Sequence, residues 1–193
     1  MNSKFNQERR DLLKSTCAMA GAAAVVSVAG SLPVFAAGQA KGVPEVGDVF
    51  VFIDDPNKDK VVMVSDVVVD APAVMVQAKD PNGAVREDDN ATAVLYRVAP
   101  DKIPADLKGE SAEGILAYSA VCTHLGCMMS NWDIPTKAFL CPCHDALFDP
   151  LQNGKNTGGA TSRTLPHFPI KSDGGKLVVT DVPSGYVGVK RMT

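Results

Sequence analysis

The strongest constraint on this chain is a group of soft metal ligands in the second half of its sequence. Four cysteines and two histidines lie between Cys122 and His144, in the segments CTHLGC and CPCH. Four kinds of site suit such a group: a tetrahedral zinc site, a pair of disulfides with incidental histidines, an all-cysteine iron–sulfur cluster, or a [2Fe–2S] centre in which two histidines replace two cysteines. The residue types alone leave these alternatives open.

The spacing of the ligands is similar to that of the Rieske [2Fe–2S] family. The chain reads C-x-H-x16-C-x-x-H, and its CTHLGC and CPCH segments match those of high-potential Rieske proteins residue for residue. The resemblance implies one [2Fe–2S] cluster per chain, with two cysteines on the inner iron and two histidines on the outer iron. It assigns the ligand role to Cys122, His124, Cys141 and His144.

The same resemblance accounts for the two remaining cysteines of the group. High-potential Rieske proteins carry a disulfide between their two cluster loops, which implies a Cys127–Cys143 disulfide here and suits an exported protein. Further along, Gly158-Gly159-Ala160 resembles the Gly-Pro-Ala loop that covers the cluster in the family. Because Gly159 replaces the proline, we expect this covering loop to be less stiff.

Downstream of the last cysteine, the sequence departs from the high-potential pattern at three positions. Asp145 stands in the place of a glycine, Ala146 in the place of a serine and Phe148 in the place of a tyrosine. Both hydroxyl donors to cluster or ligand sulfur are missing, and a carboxylate is added beside His144. Such hydrogen bonds stabilise the reduced cluster. We therefore predict a midpoint potential well below that of quinol-oxidising members, within the Rieske range of roughly −150 to +300 mV.

The chain from residue 46 onward has the pattern of an all-β protein. Hydrophobic residues make up 46% of the sequence and charged residues 21%, which is enough for a packed core. Valine-rich runs separated by Pro, Gly, Asn and Asp predict strands, and a short helix is expected near 103–108. The predicted strands span 46–53, 60–69, 73–78, 93–98, 114–120, 167–171 and 176–181. The resemblance implies a Rieske-type antiparallel β-sandwich with an inserted loop-rich cluster-binding subdomain at about 121–166.

The N-terminal segment has the layout of an export signal. A charged stretch with the pair Arg9-Arg10 precedes a run of small and mildly apolar residues. The pair resembles a twin-arginine (Tat) signal, although Glu8 and Leu12 replace the usual serine and phenylalanine. Tat export moves folded proteins, so the signal independently predicts a cofactor and a periplasmic location.

The same segment sets the expected domain boundaries. Residues 15–37 are long enough to span a membrane, but they are rich in Ala, Gly and Ser and are interrupted by Pro33. We expect cleavage near Ala36–Ala37, with a signal segment at 1–37 and a Rieske domain at 38–193. Membrane association is expected only if the segment is retained.

Three electron-transfer roles follow from the resemblance. The chain is most similar to the small subunit of arsenite oxidase and iodate reductase, which relays electrons between a large molybdopterin subunit and a cytochrome c or similar carrier. The second role is the Rieske subunit of a cytochrome bc complex, and the third is a ferredoxin for a ring-hydroxylating dioxygenase. No nucleophile–base pair or phosphate loop indicates a substrate-converting site in this chain. The net charge of −3 and the absence of a basic patch argue against nucleic acid as a partner.

Overall fold

The structure is a computed structural model that describes residues 42–190. The described part consists of ten β-strands and five single-turn 3₁₀ helices. The strands are β1 (Val49–Phe52), β2 (Val74–Lys79), β3 (Thr92–Arg97), β4 (Ile115–Ser119), β5 (Asn131–Asp133), β6 (Ala138–Cys141), β7 (Ala146–Asp149), β8 (Lys155–Gly158), β9 (Ile170–Asp173) and β10 (Lys176–Val179). The 3₁₀ helices are Val64–Asp66, Asp89–Ala91, Pro100–Lys102, Lys108–Glu110 and Pro150–Gln152.

The strands form two antiparallel sheets. The larger has six strands in the order β4-β3-β2-β1-β10-β9, and the smaller has four in the order β5-β6-β7-β8. The smaller sheet is inserted in sequence between β4 and β9, within the predicted segment 121–166. The predicted all-β antiparallel architecture with an inserted subdomain is confirmed.

Strands β3 and β4 form a wall between two hydrophobic cores. Both strands are buried along almost their whole length, and their side chains alternate between the two cores. Leu95 and Ala117 belong to the core of the large sheet, whereas Tyr96 and Tyr118 belong to the core shared with the small sheet. Since β4 leads directly into the first cysteine-containing loop, that loop begins from a strand held on both faces.

The strand predicted over 60–69 is wrong. Val61 and Met63 form only isolated bridges, and the chain then turns through a 3₁₀ helix at Val64–Asp66. The Asp66 carboxylate accepts a hydrogen bond of 2.8 Å from the Met63 backbone N–H, which closes the turn. The valine run therefore does not alternate between faces of a sheet.

The short helix predicted near 103–108 is also wrong. Single 3₁₀ turns lie on either side of this stretch, and residues 103–107 are irregular. Pro104 disfavours helical geometry at Ile103, which precedes it. Ile103 and Leu107 are instead buried as separate anchors in the second core.

Within residues 42–190, no helix has the length and apolar character needed to cross a membrane. The predicted signal segment, 1–37, lies outside the described residues.

Candidate metal centre

The first loop of the site, residues 122–127, joins Val121 to Met128, which pair as an isolated antiparallel bridge. The Cys122 backbone N–H donates to the Cys127 carbonyl at 2.8 Å, and the Gly126 N–H donates to the Cys122 carbonyl at 3.0 Å. Gly126 has a φ of +82°, which glycine adopts readily. These bonds fold CTHLGC into a compact loop with both cysteines at its base.

The second loop, residues 141–146, closes the hairpin between β6 and β7. Cys141 and Ala146 are paired across the two strands, and the four residues between them form the turn. Asp145 has a φ of +52°, a left-handed conformation in which aspartate is tolerated better than most non-glycine residues. The substitution of Asp145 for the family's glycine therefore fits the backbone.

The two loops bring a pair of buried thiols together. Cys122 and Cys141 are free and each only 1% exposed. The pKa of the Cys122 thiol is raised to about 11, chiefly by burial and also by the adjacent Cys141. Hydrogen bonds from the backbone amides of His124 and Leu125 act in the opposite direction. A thiolate at this position therefore requires a compensating positive charge, which a bound metal supplies.

The two histidines of the loops are more exposed than the two thiols. The rings of His124 and His144 are 4.7 Å apart between centroids and nearly perpendicular. His144 is exposed and His124 half-buried. The four predicted ligands thus divide into a buried pair of thiols and a more exposed pair of imidazoles.

The donor set fits a metal group with sulfur and nitrogen ligands. The Nδ1 atom of His124 is buried and has no hydrogen-bond partner within residues 42–190. His167 Nδ1 shares that property, but the Nε2 atom of the same ring contacts the Glu110 carboxylate. A buried imidazole nitrogen without a hydrogen-bond partner, in the same loop as a buried thiol, suits a bound metal.

The predicted disulfide between Cys127 and Cys143 is present and joins the first loop to the second. The sulfur atoms of Cys127, Cys141 and Cys143 all lie within 4.8 Å of one another. The disulfide therefore lies directly beside one of the two buried thiols and joins the base of the first loop to the turn of the second.

The comparison with protein families decides between the kinds of metal group. Residues 66–169, which include both loops, match the Rieske [2Fe-2S] domain. The chain belongs to the Rieske [2Fe–2S] family. Membership implies a [2Fe–2S] cluster, and the cysteine and histidine side chains suitable for it are present.

Curated relatives are named as Rieske or iron-sulfur subunits. A protein of Haloferax mediterranei, named as the Rieske subunit of a respiratory nitrate reductase, is 42% identical over 102 residues, or 52% of this chain and 46% of its own. The cytochrome bc1 complex Rieske subunit of Corynebacterium efficiens is 43% identical over 65 residues, 34% of this chain and 16% of its own. The cytochrome b6-f iron-sulfur subunit of Chlorobaculum tepidum is 35% identical over 98 residues, 51% of each chain. The alignments thus span about half, or less, of the length of each relative.

The third loop of this Rieske site, residues 159–164, rests on the second. Gly159 has a φ of +80°, and a Cβ atom there would overlap the Asp145 carbonyl and the Ala146 backbone. Proline, whose φ is fixed near −65°, does not fit this conformation. Gly159 thus permits a close approach between two backbones, which is a different consequence from the loss of stiffness expected from the sequence.

The positions that bear hydroxyls in high-potential Rieske proteins are buried here. Ala146 and Phe148 have no exposed surface, and Phe148 is paired with Phe139 across β6 and β7. Two tyrosines share this core, but their hydroxyls are used elsewhere. Tyr96 donates to the Asp70 carboxylate at 3.3 Å, and Tyr118 donates to the Pro150 carbonyl at 2.8 Å.

Sequence reasoning missed the contribution of Arg163. Its guanidinium donates to the backbone carbonyls of Thr123, Tyr186 and Gly188. The segment TSRTLP has no periodicity or motif that marks the arginine, and its partners are backbone atoms distant in sequence. Only the tertiary structure shows that Arg163 contacts the first loop.

Proposed function

We propose that Cys122, His124, Cys141 and His144 bind the [2Fe–2S] cluster, with the cysteines on the inner iron and the histidines on the outer iron. The observation that carries this proposal is that the two loops bring together two adjacent buried thiols and two imidazoles whose ring centroids are 4.7 Å apart. When bound, the cluster accepts and releases one electron. The exposed ring of His144 marks the side on which a redox partner approaches.

The residues of the chain have separate tasks in this Rieske-type electron transfer. The thiols supply negative charge in a buried place, where a cationic metal balances it. The imidazoles supply neutral nitrogen ligands, and His144 is exposed to solvent. The disulfide keeps the two loops in register through the redox cycle.

Absorption and EPR spectroscopy test the proposed ligands. The reduced wild-type protein is expected to give the EPR spectrum of a histidine-ligated [2Fe–2S] cluster. His144→Cys should shift this spectrum toward that of an all-cysteine cluster, and Cys141→Ala should abolish cluster binding. An unchanged spectrum in His144→Cys would contradict the proposed assignment.

For the complex, we propose the small subunit of a periplasmic molybdenum oxidoreductase of the arsenite oxidase type. In this role the chain relays electrons between a large molybdopterin-containing subunit and a cytochrome c-type carrier. The nitrate reductase assignment of one relative supports a Rieske subunit outside the cytochrome bc complexes. The missing hydroxyls at Ala146 and Phe148 support a cluster of lower potential than quinol oxidation uses.

The Rieske subunit of a cytochrome bc complex is an equally supported alternative. Relatives named as bc1 and b6-f subunits match the chain at 43% and 35% identity. The two proposals differ in the centre that exchanges electrons with the Rieske cluster: a molybdopterin in the first and a quinol in the second.

We also propose that residues 1–37 direct Tat export and that residues 38–193 act in the periplasm. The Arg9-Arg10 pair and a cluster that must be inserted before export support this location. Cell fractionation of the native host tests it. Substitution of both arginines by lysine should retain the chain in the cytoplasm.

Purification of the native complex distinguishes the two assemblies. If the first proposal is right, the chain should leave the periplasmic fraction without detergent, together with a large subunit containing about one molybdenum atom. Recovery only in detergent, with b-type and c-type haem and no molybdenum, would contradict that proposal and support the cytochrome bc alternative.

A further inference from the structure

The side chain of Arg163 connects three separate parts of the chain. One terminal nitrogen, Nη1, lies 2.9 Å from the Gly188 carbonyl and 3.3 Å from the Thr123 carbonyl, and the other, Nη2, lies 3.0 Å from the Tyr186 carbonyl. The planar guanidinium presents several donors in a fixed geometry, which suits several acceptors at once. Arg163 thus fastens the third loop and the C-terminal segment to the first loop.

The contact with the first loop is reciprocal. The Thr123 hydroxyl donates to the Arg163 carbonyl at 3.2 Å, while the Arg163 guanidinium donates to the Thr123 carbonyl. Thr123 is buried and lies between the two proposed ligands of its loop, Cys122 and His124. A displacement of Thr123 would therefore move one cysteine and one histidine together.

The charge of Arg163 is also placed beside the cluster site. Within residues 42–190, its guanidinium has carbonyl partners and no carboxylate partner, so no acidic side chain neutralises it directly. It is half-buried, which limits screening by solvent. A positive charge next to the first loop favours the reduced cluster, which carries one more negative charge than the oxidised one.

We propose that Arg163 is a positioning residue of the Rieske site with two separable effects. Its planar fork holds the first loop in the conformation that binds the cluster, and its charge raises the midpoint potential. The inference rests on the proposed ligation by Cys122 and His124.

Two variants of the full-length, cluster-loaded protein separate the effects. Arg163→Met removes both the planar guanidinium and its charge, whereas Arg163→Lys keeps a positive charge but not the planar set of donors. Arg97→Met is the matched control, because Arg97, in strand β3 of the larger sheet, donates to the carbonyls of Val64, Val67 and Glu113 in the same manner. The measurements are the midpoint potential, the half-life of the cluster absorption band at a fixed temperature, and the EPR g-values of the reduced state.

Arg163→Met is expected to lower the midpoint potential, shift the g-values and shorten the cluster half-life by about tenfold or more, as for residues that support metal ligands. Arg163→Lys should recover most of the potential but little of the half-life. Arg97→Met should lower the melting temperature and leave the potential and g-values unchanged.

The proposal is overturned if Arg163→Met retains the wild-type potential and g-values and shortens the half-life no more than Arg97→Met does. In that case Arg163 has a general structural role only. If Arg163→Met does not accumulate, Arg163→Lys and Thr123→Val decide the same question, since each removes part of the reciprocal contact. A wild-type protein without the histidine-ligated EPR spectrum would instead refute the proposed ligation.

Discussion

Removal of the Cys127–Cys143 disulfide should lower the stability of the cluster-free protein by about 3 kcal/mol. The two cysteines are separated by 16 residues in the sequence. For a closed loop of that length, the chain-entropy treatment gives about 10 cal/mol/K of lost entropy in the unfolded state, or about 3 kcal/mol at 25 °C. For a protein of this size, that corresponds to a decrease in melting temperature of roughly 6–12 °C.

The cluster changes the expectation, because the proposed ligands cross-link the same two loops. Cys122 with Cys141, and His124 with His144, close loops of nearly the same length as the disulfide. In the cluster-loaded protein the disulfide is then a second fastening of loops that are already joined. Its removal should chiefly shorten the lifetime of the cluster, while the full effect on the free energy of unfolding appears only without the cluster.

The assay is urea or thermal unfolding of the cluster-free Cys127→Ala/Cys143→Ala double variant. The double substitution avoids a free thiol beside Cys141, whose sulfur lies within 4.8 Å of the disulfide. Wild-type protein treated with a reductant is the matched control and should unfold at the same midpoint as the variant. If the double variant and the oxidised wild type agreed within about 0.5 kcal/mol, the loop-closure reasoning would be refuted.

The remaining predictions concern potential, backbone packing and pH. Ala146→Ser should raise the midpoint potential in a redox titration by on the order of 60 mV. A hydrogen bond to a charged group contributes about 1.5 kcal/mol, which is roughly a tenfold change in an equilibrium constant and corresponds to about 59 mV for one electron. An unchanged or lower potential would contradict the role of the hydroxyl. Phe148→Tyr should raise it too, with a lower melting temperature if the new hydroxyl in this buried place finds no acceptor. Gly159→Ala should destabilise the cluster-free protein by about 2 kcal/mol in urea unfolding, because of its left-handed φ and the overlap with the second loop; equal stability would show that the loops separate easily. Burial, and then the Asp70 charge, raise the pKa of Tyr96 to about 12. The folded state therefore favours the neutral phenol, and this contribution to stability is present below pH 10 and is lost as the pH rises through 12. Tyr96→Phe should flatten this part of the pH–stability curve.

Local sequence patterns predicted strands correctly where hydrophobic residues form a buried run between turn residues. The runs over 73–78 and 93–98 became β2 and β3, since each has a hydrophobic sequence bounded by turn residues and a neighbouring strand to pair with. The run over 60–69 has the same valine content, yet a single side-chain bond from Asp66 turns it away from the sheet. Composition cannot distinguish these cases, because the difference lies in which backbone groups find partners.

The site could be predicted from sequence for a different reason. The spacing of the cysteines and histidines in CTHLGC and CPCH resembles that of the Rieske family, so the disulfide and the pair of buried thiols can be recognised without the rest of the fold. The contacts that support the loops cannot be recognised from the sequence in this way. The requirement for glycine at 159 arises from the backbone of the second loop, and the partners of Arg163 are carbonyls, which every residue possesses.

The three loops of the site are fastened in pairs, and each pair by a different kind of link. The Cys127–Cys143 disulfide joins the first loop to the second, the close approach of Gly159 joins the second to the third, and the Arg163–Thr123 contact joins the third to the first. In such a closed arrangement, the loss of one link leaves every loop attached to the others through the remaining two. Single variants should therefore shorten the cluster lifetime without unfolding the site, whereas loss of the disulfide together with the Arg163 side chain should leave the first loop attached to the others, among these links, only through the hydroxyl of Thr123, which donates to the backbone carbonyl of residue 163. The effects of those two changes on cluster lifetime should accordingly exceed the sum of the separate effects in free energy, because both act on the same loop.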